Sequence, residues 1–186
     1  MVTWNADDLI SSDHKMYFGK PGQFGERGSN FIIQNCDFYL SIGTRLPFMI
    51  TGYNPKDFAK KAKYKIMVDI DKNELKKNDL KLNLLIKSDA KYFLEKLFSK
   101  LKNYKSDNSW INYCSKVRAK YPILVKKMKD EKEYINSYFF IKKLSQKLNN
   151  NDIIITDMGF SFTTTHQALE IRGNQKLYTN SGHAPM

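Results

Sequence analysis

The chain has 186 residues, 41% of them hydrophobic and 13% aromatic, which is a globular composition and excludes a disordered or low-complexity protein. The longest apolar runs, Ile153-Ile154-Ile155 and Tyr138-Phe139-Phe140-Ile141, are far too short to cross a bilayer, and residues 1–8 have neither the basic start nor the apolar centre of a secretory signal. The net charge of +12 invites a nucleic-acid partner, but only Arg27, Arg45, Arg118 and Arg172 are arginine, and the lysines crowd between Lys91 and Lys147 among helix-spaced apolar residues, so solvated lysine faces are the better reading. Neither nucleic acid nor membrane is expected as a partner, and the cytoplasm is the default compartment.

From Met1 to about Glu26 the chain reads as irregular, rich in Gly, Pro and Asp. Residues 28–35 suit a short helix capped by Ser29 or Asn30. Asp37 to Gly43 is a short apolar run that stops at a glycine, the pattern of a buried parallel strand feeding a loop. Tyr53 to Ala62 reads as a weak helix, Lys65 to Asp71 as a second buried strand, residues 73–77 as a turn, and Leu84 to Ile86 as a third strand. The stripe Tyr92, Phe93, Leu94, Leu97, Phe98, Leu101 and Tyr104 predicts a helix with a core-facing side. Residues 104–109 suit a linker, and Trp110, Ile111, Cys114 and Val117 a helix that ends near Pro122. Ile135 to Leu148 carries another helical stripe, Ile153 to Asp157 a strand with Met158-Gly159 as its exit, Thr164 to Glu170 a helix, and Lys176 to Thr179 a last strand.

Strands alternate with helices, so the class is α/β with parallel sheets. Cys36 and Cys114 have no pairing pattern and read as buried or incidental thiols of a reducing compartment; no metal site can be assembled from so few thiols and imidazoles. The sequence closes on residues 181–186 directly after a strand, with no covering helix, which suggests truncation.

Three blocks of residues go further. The first is Thr3-Trp4-Asn5 with Tyr17-Phe18-Gly19-Lys20-Pro21-Gly22-Gln23-Phe24-Gly25-Glu26-Arg27 and Asn30. The second runs Cys36-Asp37-Phe38-Tyr39-Leu40-Ser41-Ile42-Gly43-Thr44-Arg45-Leu46, then Thr51-Gly52, Phe58-Ala59, Ala62 and Val68-Asp69-Ile70-Asp71. The third joins Thr156-Asp157-Met158-Gly159 to Ser181-Gly182-His183-Ala184-Pro185-Met186. In this order and spacing they resemble the acetolactate synthase branch of thiamine diphosphate enzymes.

The resemblance implies a fragment. Residues 1–104 match the C-terminal part of a central, Rossmann-like domain with a partial doubly wound parallel sheet. Residues 105–132 become a linker or helical connection, and 133–186 the start of a second α/β domain that binds thiamine diphosphate. The parent would use thiamine diphosphate and Mg²⁺ to decarboxylate a 2-keto acid such as pyruvate and join the product to an acceptor carbonyl, as a homodimer or homotetramer. A thiamine-dependent decarboxylase or lyase of the same superfamily, or a noncatalytic ADP- or FAD-binding module, are the alternatives. The family's catalytic glutamate belongs to an amino-terminal domain, and its Gly-Asp-Gly metal motif should follow Met186. No catalytic residue and no metal ligand is therefore named in this chain, which alone should be inactive.

For the cofactor, the resemblance places Met186 under the thiamine, forcing its two rings into a bend, and gives the backbones of Ala184 and Met186 to the pyrimidine, with Gly182 and His183 beside them. Met186 as a plain core residue is the alternative. Gly19, Gly22 and Gly25 could cradle a phosphate or simply form a structural loop; family members bring this loop, with Gly25, near a flavin or nucleotide. Arg45 follows a strand and so stands at the carboxyl edge, where it could meet a diphosphate or pair with Asp69 or Asp71. Asp69, Asp71 and Asp89 lie at or beyond strand ends; in nucleotide-binding relatives such acids touch ribose or adenine, and strand-end capping is the rival role. Flavin-binding members carry charged residues after the arginine, whereas Leu46-Pro47-Phe48-Met49-Ile50 is apolar here, which argues against FAD. His14 and His166 are expected at the surface.

Overall fold

The computed structural model describes residues 1–76, 79–105 and 107–180. It divides into two compact units, one of Met1–Asn30 with Cys114–Met186 and one of Phe31–Tyr113. Helices α1 (Arg27–Asn35) and α5 (Asn108–Lys120) each have residues in both.

The continuous unit is built on three parallel strands in the order β1 (Phe38–Ile42), β2 (Tyr64–Asp69), β3 (Leu84–Lys87). Leu40 registers with Ile66, and Ile66 with Leu84. The two apolar runs with polar exits are thus neighbours in one parallel sheet, joined by crossover connections as such strands require. Short helices α2 (Phe48–Thr51) and α3 (Lys72–Lys76) and the longer α4 (Ala90–Lys100) complete it. Ile33, Leu46, Ile50, Phe58, Met67 and Leu75 belong to its buried core. The Lys65 ammonium is buried there and donates to the Phe58 carbonyl at 2.7 Å, satisfying a charge that would otherwise be costly to bury.

Three readings need correction in this unit. Tyr53 to Ala62 is not a helix: only Pro55–Asp57 makes a single 3₁₀ turn, after which Phe58 is extended and Ala59 left-handed at φ 47°. That break is what drives Phe58 into the core. Residues 72–76 form a short helix rather than a turn. The α4 stripe is not core: Tyr92, Leu94 and Phe98 are exposed, and only Phe93 and Leu97 are half-buried. Helical spacing reports that one side is apolar, not that anything covers it.

The other unit holds the first thirty residues, the second half of α5, α6 (Lys126–Lys129), α7 (Ser137–Ser145), and a parallel pair, β4 (Ile153–Thr156) and β5 (Lys176–Thr179), joined through α8 (Phe160–Ala168). Asn136 caps α7 by accepting from the Tyr138 and Phe139 amides. Helix α8 starts at Phe160, four residues earlier than its apolar pattern suggests. Gly159, at φ 77°, turns the chain directly out of β4, and Thr163 and Thr164 bond back to the first carbonyls. The glycine- and proline-rich amino-terminal stretch lies against this helix: the Ser12 amide donates to the Ile171 carbonyl, and Trp4 meets the Phe162 ring edge-on at 5.6 Å. Cys36 and Cys114 are both buried.

Candidate functional site

Three parallel strands leave their carboxyl ends on one edge, and in the continuous unit that edge forms a cleft of about 550 Å³. It collects Gly43 and Arg45 after β1, Asp69 and Asp71 at and after β2, and Ser88 and Asp89 after β3. Gly43 is left-handed at φ 62°, which lets β1 turn out of the sheet. The cleft thereby unites Arg45, Asp69 and Asp89, which stand far apart in sequence.

Each charged group there already has a partner. Arg45 Nε lies 3.0 Å from Glu74 Oε1, so its acid is neither Asp69 nor Asp71. Glu74 went unnoticed because residues 73–77 read as a turn; on α3 it reaches back over the cleft. Asp69 accepts from the Asp71 amide at 2.9 Å, Asp71 from the Asn73 amide at 2.7 Å, and Asp89 caps α4 through the Tyr92 amide at 3.0 Å. Asp69 and Asp71 thus hold the chain that leaves β2, whereas Asp89 caps the start of a helix rather than the end of a strand. Four carboxylates face one guanidinium, which suits hydroxyl donors better than a diphosphate.

Gly25 belongs to the other unit. A Cβ there would lie 2.4 Å from the Lys20 carbonyl oxygen, a distance that atoms do not tolerate. The loop is wound on itself: the amides of Lys20, Gly22, Gly25 and Glu26 donate to the Glu26 carboxylate, the Asn30 side chain, the Gly22 carbonyl and the Lys20 carbonyl. These four donors are occupied within the loop.

Beneath it is a buried ionic cluster that sequence reading missed. Lys20, Asp7 and His166 are each 1–2% exposed. The Lys20 ammonium donates to the His166 carbonyl at 2.5 Å, approaches the Leu169 carbonyl at 3.4 Å, and lies 3.4 Å from Asp7 Oδ2. It caps the carboxyl end of α8, where carbonyls lack helical donors and a cation is favoured. His166 Nδ1 sits 2.9 Å from the same Asp7 oxygen, so the expected surface histidine is an interior one. His14 is exposed, as expected. Nearby, burial pushes the Glu26 carboxyl up, an effect that Arg118 and Lys20 partly offset.

Of the third block, Asp157 accepts from the Met158 amide at 2.7 Å in the exit of β4. Gly182, His183, Ala184 and Met186 lie outside the described residues. Among the described residues no group of three or more His, Cys, Asp or Glu could hold a metal, and no helix is long and apolar enough to cross a membrane.

The thiamine pyrophosphate enzyme central domain matches residues 1–97. The probable acetolactate synthase large subunit of Methanocaldococcus jannaschii is 30% identical over 166 residues, covering 85% of this chain and 27% of the relative. The acetolactate synthase large subunit of Cyanidium caldarium is 30% identical over 180 residues, covering 92% and 29%. The acetolactate synthase isozyme 2 large subunit of Escherichia coli is 25% identical over 177 residues, covering 95% and 30%. The chain thus spans less than a third of the length of these relatives.

Proposed function

This chain belongs to the thiamine pyrophosphate enzymes, and from that membership we propose that it is part of an acetolactate synthase-like enzyme acting on a 2-keto acid such as pyruvate. The observation that carries this reading is the similarity to acetolactate synthase large subunits over 85–95% of the chain. In our reading residues 1–104 contribute the end of the central domain, 105–132 the connection, and 133–186 the beginning of the cofactor domain. Thiamine diphosphate, bound with Mg²⁺, supplies the electron sink for decarboxylation. The chain's own contribution is positional. By the resemblance, the backbones of Ala184 and Met186, with Gly182 and His183, would hold the thiamine, and the Met186 side chain would support it from below. The parent acts as a homodimer or homotetramer.

The test is product analysis of the full-length parent with pyruvate, thiamine diphosphate and magnesium. Acetolactate is the expected product; acetaldehyde without acetolactate would favour the decarboxylase reading, and no carbon dioxide release would sink both. This chain alone should release none above a control without protein.

A second reading, nucleotide binding at the strand edge, is favoured by the cleft that unites Gly43, Arg45, Asp69 and Asp89. Its acids suit the hydroxyls of a ribose. Its single guanidinium, engaged by Glu74, offers a diphosphate little, and the apolar residues after Arg45 argue the same way against FAD. Titration with ADP and flavin absorbance of the purified chain separate the cases.

A further inference from the structure

The discontinuous unit contains a cavity of about 710 Å³ that the proposed reaction does not use, within the usual size of a small-molecule site. Two helices present matched faces to it. Ser115, Arg118 and Ala119 fall at i, i+3 and i+4 on α5, and Phe139, Lys142 and Lys143 at the same spacing on α7. Buried Tyr17 and Leu169 add apolar lining.

The charge of the lining is unbalanced. Lys15, Arg118, Lys129, Lys142 and Lys143 face Asp13, Glu26 and Glu170. Glu170 is taken by Lys142 and by Arg172 at 2.7 Å, and Glu26 stands 4.0 Å from Arg118. That leaves Lys15, Lys129 and Lys143, all exposed, facing the single remaining acid Asp13, so cations are in excess at the rim. Arg118 is different from these lysines. One guanidinium nitrogen donates to the Tyr17 carbonyl at 2.7 Å, and the group lies over the Tyr17 ring at 5.3 Å. A guanidinium has five donors in a planar fork, so this one is oriented on the ring with donors to spare.

We propose that this cavity binds an organic anion: a carboxylate on a flat apolar body, with the carboxylate on Arg118 and the body against Tyr17 and Phe139. Planar bidentate recognition is what a guanidinium offers a carboxylate, and the rim lysines steer the anion in.

Isothermal titration of the chain with 2-naphthoate tests this. Saturable one-site binding is expected. The neutral isostere 2-naphthalenemethanol should bind about tenfold more weakly, since it forgoes one charge-assisted contact, and inorganic phosphate, which has no apolar body, should not bind measurably. Ala119→Phe fills the cavity from an exposed helix position and should abolish binding while the circular dichroism spectrum is unchanged. Arg118→Lys keeps the charge but loses the fork and should weaken binding several-fold. No heat with millimolar 2-naphthoate, equal affinity for the alcohol, or undiminished binding to Ala119→Phe would each overturn the proposal.

Discussion

His166 Nδ1 lies 2.9 Å from Asp7 Oδ2, although 159 residues separate them in sequence. The same carboxylate oxygen is 3.4 Å from the Lys20 ammonium, so one buried acid ties the first turn of the chain, the glycine loop and α8 together. Replacing it by alanine strands a cation that is 1% exposed. Asp7→Ala should therefore cost about 3–5 kcal/mol, the usual penalty for breaking a buried pair. Asp7→Asn, which keeps an acceptor, should cost less. Urea denaturation midpoints measure both, and a change below about 1 kcal/mol for Asp7→Ala would place it with exposed ion pairs instead.

Glycines in the two units should respond differently to alanine. At Gly25 the new methyl would meet the Lys20 and Pro21 backbone at 2.4–2.5 Å. Backbone cannot rotate away as a side chain does, so Gly25→Ala should lose about 1–3 kcal/mol or more through overpacking. Gly43 has open space around it but a φ of 62°. Gly43→Ala should lose only the roughly 1–2 kcal/mol of a left-handed residue. Thermal melts of the two variants side by side check the order; a costlier Gly43 variant would contradict the packing.

Stability should depend on pH through Glu26. Burial is the main cause that raises its carboxyl above the ordinary carboxylate range in the folded chain, with Arg118 the leading opposing influence. The unfolded carboxyl ionises first as pH rises, so between the two values the folded state holds the extra proton. Stability then falls with rising pH across that window and is flat beyond it. Glu26→Gln keeps the acceptor for the Lys20 amide and removes the titration. Melting temperatures from pH 4 to 8 should show wild type losing ground to the variant as pH increases. A difference that is constant with pH would mean that folding leaves the Glu26 carboxyl titrating as it does in the unfolded chain.

Met186→Ala, in the full-length parent, should lower turnover while leaving the fold intact. If Met186 supports the cofactor as the resemblance implies, its loss would misplace the reacting groups, and about an ångström of misplacement can cost on the order of a hundredfold in rate. Affinity should suffer less, since diphosphate and magnesium provide most of it. A core methionine would instead cost about 2–5 kcal/mol of stability with normal turnover. Melting temperature and turnover on the same variant decide between them.

The elements were legible where period and punctuation agree. The runs ending at Gly43 and Asp71 are strands because both flanks are polar and both interiors apolar, and their parallel pairing follows from a connection too long for a hairpin. The order of three short blocks gave the family, and the comparisons bear it out over residues 1–97. The α4 stripe misled because an amphipathic helix declares a preference, not a partner. Tyr53 to Ala62 misled because Ala59 takes a left-handed backbone that no alanine signals.

By itself the sequence determined the class of the fold, the parallel pairing of its first two strands and the family, since each rests on local periodicity or ordered motifs. Only the tertiary structure decided that Arg45 pairs with Glu74, that Lys20 caps α8, and that His166 is interior. Those outcomes depend on which distant groups desolvate together. A buried charge must find its partner through space, and neither spacing nor composition records where that partner will be.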